Sequence, residues 1–128
     1  MSDTHATYTW ELPRDATAPG AGRWYVREVA SSDREAVDAE LVVSELITNA
    51  WQHGYGGEPI ILRAEIREDA LHIEVCGHAQ GIPAIQPSTD PTATTGRGLL
   101  LIEELVQAWG YERSGDLVCV WADVPHLS

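Results

Sequence analysis

A carboxylate and a carboxamide stand one helical turn apart in the stretch Glu40–Gly54, ELVVSELITNAWQHG, at Glu45 and Asn49. That spacing puts two side chains on the same side of a helix. Asparagine offers a neutral oxygen ligand suited to Mg²⁺, which prefers oxygen and keeps several waters. A nearby glutamate can accept the proton of a hydroxyl or water that attacks a phosphate. On spacing alone, the pair reads first as a locally satisfied polar edge of a core. Two glycine-bearing stretches follow. Gly77-His78-Ala79-Gln80-Gly81-Ile82-Pro83 closes a strand, where glycine either admits a planar ligand to the backbone or simply turns the chain. Thr95-Gly96-Arg97-Gly98-Leu99 feeds a helix. Amides at such a helix start form an anion site, unless the loop needs its glycines only to enter the helix.

The elements that must position these residues follow from periodicity. Ala39, Val42, Val43, Leu46, Ile47 and Ala50 fall on one face of a helix that starts near Arg34 or Glu35 and stops at Gly54. Ser31-Ser32-Asp33 supplies its N-caps. Before it, Thr7–Leu12 alternates as a strand, Asp15–Gly22 has loop character, and a helix runs from about Ala21 to Ala30. After it, Pro59–Ile66 and Ala70–Cys76 form a hairpin around Glu68-Asp69. Residues 77–96 carry little regular pattern, and a loop of that length in a small domain is usually functional. A helix from Gly96 through Trp109 presents Leu99, Ile102, Leu105 and Val106 to the core. Tyr111–Arg113 and Leu117–Val124 are strands joined at Ser114-Gly115-Asp116. The order β-α-α-β-β-loop-α-β-β is that of an α+β, two-layer sandwich, with helices on one face of a mostly antiparallel sheet. Residues 1–128 read as a single domain with a flexible tail at 1–6.

Composition narrows the function. Net charge is −12, and all eight basic residues are Arg. An acidic surface repels phosphate backbones, which argues against direct nucleic-acid binding and favours a basic protein partner. A phosphate ligand would need local donors, from backbone amides or an Arg. There is no long apolar run and no signal-peptide pattern, so the expected location is the cytoplasm and not the membrane. Cys76 and Cys119 lie in apolar strand-like runs and read as reduced core residues. The five histidines show no metal-ligand spacing with them.

Taken in order, the three stretches resemble the GHKL ATPase superfamily, and within it the short actinobacterial anti-sigma-factor, histidine-kinase-like ATPases. SELITNAWQHG (Ser44–Gly54) looks like the family's N box. GRGLLLIEEL (Gly96–Leu105) looks like its lid glycine motif and following helix. AWGYERSGDLVCVWADV (Ala108–Val124) resembles its closing hairpin. The resemblance covers nearly the whole chain. It implies the histidine-kinase-like ATPase fold, with ATP between helices and sheet. By that resemblance Asn49 coordinates Mg²⁺, Glu45 is the general base, and His53 lies at the site edge. Thr95, Gly96, Arg97, Gly98 and Leu99 hold the phosphates, with Pro87–Thr95 as a short lid. Family members of this type form homodimers, sequester a sigma factor and phosphorylate a serine or threonine of an antagonist protein.

One box departs from the family. Its adenine-recognition motif usually reads Asp-x-Gly-x-Gly, the Asp accepting from the adenine amino group. Here Gly77 stands in place of the Asp, Ala79 replaces a Gly, and Gly81 is retained. The hydrogen bond lost to the base is worth roughly 1–3 kcal/mol, up to about a hundredfold in affinity. Two readings stay open: an anti-sigma regulator with a serine/threonine protein kinase-type ATP site, and a protein-interaction module of the same fold that binds no ATP.

Overall fold

The computed structural model describes residues 6–79 and 102–126. The elements are β1 (Thr7–Leu12), α1 (Ala18–Val29), α2 (Asp33–His53), β2 (Ile60–Ile66), β3 (Ala70–His78), β4 (Ala108–Ser114) and β5 (Leu117–Pro125). The strands form one sheet in the order β1-β2-β3-β5-β4, with antiparallel pairing throughout. The α+β, two-layer architecture expected from the sequence is the one observed.

Alternation decides which side of the sheet the helices cover. Leu62, Ala64, Leu71, Ile73, Val75, Val120, Ala122 and Val124 join Val26, Ala39, Val42, Val43, Leu46 and Ile47 in one buried core. The other face carries Arg63, Glu65, His72, Glu74, Trp121 and Asp123, with an Arg63–Glu74 ion pair at 3.1 Å and a His72–Asp123 hydrogen bond at 2.6 Å. α2 begins where Ser32 accepts from the Glu35 amide at 3.1 Å, while the Glu35 carboxylate reaches back to Ser31 N at 3.0 Å and Ser31 Oγ at 2.8 Å. This is a variant of the reciprocal cap that satisfies helix-start amides.

Three expectations are corrected. First, α1 starts at Ala18, earlier than Ala21, because a Pro sits in its first turn, where the missing N–H has no helical acceptor to lose. Gly22, read as loop, lies inside the helix and is buried. A Cβ there would meet the Ile47 side chain, so glycine is what lets α1 approach α2. Second, the last helix does not reach Trp109. Residues 102–105 are helical, and the Gln107 amide then donates to Asp123 O at 2.8 Å, a sheet partner instead of a helical carbonyl. Trp109 and Tyr111 accordingly sit in β4, opposite Ala122 and Val120. Ile102 is buried, and Leu105 and Val106 pack against the core as expected.

Third, the cysteines are not reduced. The β3–β5 register sets Cys76 directly opposite Cys119, and the structure joins them in a cross-strand disulfide. Cys76 is buried as expected, and Cys119 is half-buried. Two half-strands distant in sequence are brought into register only by the fold, which is why each cysteine alone reads as a small apolar residue.

Candidate functional site

α2 presents the site. Its apolar stripe turns Val42, Val43, Leu46 and Ile47 into the core, and the same rotation leaves Glu45 and Asn49 at the margin of that face. Asn49 is 6% exposed, and its Oδ1 is buried without a hydrogen-bond partner among the described residues. A carbonyl oxygen sheltered from water normally has a donor, and leaving one unmatched costs about 1–3 kcal/mol. Among the described residues, no group satisfies this oxygen locally. A neutral, dry, unpaired oxygen is what a hard cation such as Mg²⁺ takes as a ligand, so the residue fits the metal the resemblance implies. Glu45, one turn earlier, is half-buried, and desolvation pushes its carboxyl pKa up. A raised carboxylate holds a proton more tightly and is a better base.

The far end of α2 is locked to the end of β3. Tyr55 N donates to His78 O at 3.0 Å, Gly54 bridges Ala79, and Ala79 N donates to Asp116 O at 2.9 Å. A Cβ on Gly54 would lie 2.7 Å from His78 O, so this junction closes only around glycine. His53 is the last residue of α2. Gly77 lies on the helix-facing side of β3, opposite Val118, and a Cβ there would stand 3.9 Å from the Ala50 Cβ. Gly77 is thus set against Ala50, the residue that follows Asn49 on α2. His78, at the end of β3, points the other way, with Nε2 4.0 Å from Glu58 Oε2. Gly81, Thr95, Gly96, Arg97, Gly98 and Leu99, and the lid expected at 87–95, lie outside the described residues.

Sequence reasoning missed Arg14. It follows β1, and its guanidinium crosses this same end of the layer. Nε donates to Glu58 O at 3.2 Å and Nη1 to Ala50 O at 3.1 Å. Nη2 is buried without a partner among the described residues, and would lie 3.0 Å from a Cβ on Gly77. The one signal available was an isolated Arg directly after a strand and Pro13, in a chain whose phosphate donors must be Arg or backbone amides.

Other groupings carry less. A cleft of about 320 Å³ on the open sheet face is lined by Thr7, Arg63, Glu65, Arg67, His72 and Glu74, and its charges are matched among themselves. Glu74 approaches Cys76 and Cys119, but sulfurs bonded to each other offer no thiolate to a metal.

Comparison with known proteins agrees with this fold. The family profile described as "Histidine kinase-like ATPase domain" matches residues 15–123. The anti-sigma F factor of Geobacillus stearothermophilus is 28% identical over 92 residues, covering 64% of this chain and 63% of its own. That of Oceanobacillus iheyensis is 24% identical over 94 residues, covering 66% and 64%. The chain thus spans just under two thirds of the length of these curated relatives. Among solved structures, the histidine kinase domain from the Erythrobacter litoralis EL346 blue-light activated histidine kinase superimposes with a TM-score of 0.57 at 20% identity, covering 89% of this chain and 61% of that one. This last likeness is one of fold. With a profile match over most of its length and the same two-layer architecture, the chain belongs to the histidine kinase-like ATPase domain family.

Proposed function

We propose that this chain is an anti-sigma regulator that carries a serine/threonine protein kinase-type ATP site and controls transcription through protein–protein binding. The observation that carries the reading is the buried, unpaired Asn49 Oδ1 one turn from a desolvated Glu45. The names of the curated relatives, anti-sigma F factors, supply the partner class. Asn49 would hold Mg²⁺, which when bound neutralises charge on the nucleotide phosphates. Glu45 would take the proton from the attacking serine or threonine hydroxyl of an antagonist protein. His53, Thr95, Gly96, Arg97, Gly98, Leu99 and Gly81 complete the proposed nucleotide site. The proposed assembly is a cytoplasmic homodimer that sequesters a sigma factor, and a net charge of −12 favours a basic face on that partner.

A second reading has its own observation. Gly77 provides no acceptor for an adenine amino group, which favours an interaction module that has given up ATP. Direct binding separates partner recognition from nucleotide use. Each sigma factor of the source cell in turn is titrated with the protein, with and without Mg²⁺ and nucleoside triphosphate. Binding of one sigma factor, strengthened by nucleotide, is the expected result. Binding indifferent to nucleotide supports the interaction module, and binding of no sigma factor removes both.

A further inference from the structure

The guanidinium of Arg14 lies where the side chain of residue 77 would project. A Cβ on Gly77 would stand 3.0 Å from Nη2. The other two nitrogens are engaged, Nε with Glu58 O and Nη1 with Ala50 O, which fixes the plane of the group. Nη2 is left as a buried donor with no acceptor among the described residues. Neither Gly54 nor Gly77 has a side chain to compete for it. The end of the site that an acceptor at 77 would have occupied is therefore furnished with a donor.

A donor and an acceptor select opposite bases. Adenine offers an amino group at its exocyclic position, and guanine and hypoxanthine offer a carbonyl oxygen there. Guanidinium nitrogens donate only, and have no acceptor for an amino group. A buried N–H without a partner is a standing penalty, relieved by a ligand carbonyl and left in place by a ligand N–H. We propose that Arg14 is the specificity-determining residue of this site and turns it toward a purine nucleoside triphosphate with a ring carbonyl, guanine or hypoxanthine, and away from adenine. The inference rests on the phosphate end of the proposed nucleotide site, Glu45 and Asn49, and replaces the ATP of that reading with a ring-carbonyl purine triphosphate.

It also predicts the behaviour of Gly77→Asp. A carboxylate at 77 would fall beside Arg14 Nη2 and form an ion pair with it, so this substitution alone restores no acceptor for adenine. Gly77→Asp combined with Arg14→Met does.

The test is calorimetry on the intact protein with Mg²⁺ and, separately, GTP, ITP, ATP and inorganic tripolyphosphate. The expected result is GTP and ITP binding roughly tenfold or more tighter than ATP, the discrimination of one good hydrogen-bonded base contact. Arg14→Met should bring GTP down to the level of ATP, and the Gly77→Asp, Arg14→Met pair should reverse the order. Circular dichroism reports whether each variant is folded, and the parent's own preference needs no variant. ATP binding as tightly as GTP overturns the inference, as does an unchanged ratio in folded Arg14→Met. If all four ligands bind alike, the base reading falls and the phosphate reading stands. If none binds, both fall.

Discussion

Burial acts differently on the two polar residues of α2. Asn49 is neutral, so burial leaves its oxygen in search of a partner. Glu45 is ionisable, and burial alone pushes its pKa up. The folded state then binds that proton more tightly than the unfolded chain. The associated stability is fully present below the unfolded pKa and is lost as pH rises through the folded one. At neutral pH the ionised carboxylate is a burden on the fold that Glu45→Gln removes. That variant is expected to melt no lower than the parent at pH 7.5, yet to lose about two orders of magnitude or more in phosphoryl transfer. Thermal melts and a phosphate-transfer assay read the two effects separately. A large drop in melting temperature would assign Glu45 to structure instead. The spacing of Glu45 and Asn49 was legible from sequence, whereas the lack of a partner for Asn49 Oδ1 among the described residues was not, because it depends on everything packed around it.

At the scale of elements, the start of α2 is tied to the end of β5. His126 Nε2 lies 2.8 Å from Arg67 O, and its Nδ1 meets the fully buried Glu35 carboxylate. The hydrogen bond to Glu35, followed by that to Arg67 O, raises the pKa of His126 against the opposing effect of burial. A raised histidine stabilises the fold below its unfolded value, near 6.5, and that contribution disappears as pH rises through the folded value. Melting temperature is thus expected to fall between pH 6 and pH 9 more steeply in the parent than in His126→Gln. Parallel curves would contradict the link. Gly22→Val should destabilise by about 1–3 kcal/mol in urea unfolding, because α1 has no room to retreat from Ile47. The sequence placed β1, α2 and the β2–β3 hairpin closely, since each is long and strongly periodic. It missed the start of α1, where Pro19, Gly20 and Gly22 mimic a loop. It also ran the last helix into β4, because Leu105, Val106 and Trp109 suit either period and only the sheet register decides between them.

For the molecule as a whole, one layer of side chains between α2 and the sheet organises the rest. The sheet's other face pairs its own charges, and no helix among the described residues is long and apolar enough to cross a membrane. What the sequence could not show is non-local: Cys76 meeting Cys119 across two strands, and Arg14 reaching from the β1–α1 connection to Gly77. Both contacts join residues more than forty positions apart and leave no local pattern. If Asn49 Oδ1 is a cation ligand of a nucleotide-phosphate site, its removal must weaken nucleotide binding. Calorimetric titration with Mg²⁺ and nucleoside triphosphate, on the parent and on Asn49→Ala, measures this. Heat of binding in the parent, with affinity at least about tenfold weaker in a variant of unchanged circular dichroism, is the predicted result. No heat from the parent at millimolar nucleotide, or equal affinity in the two proteins, would contradict it.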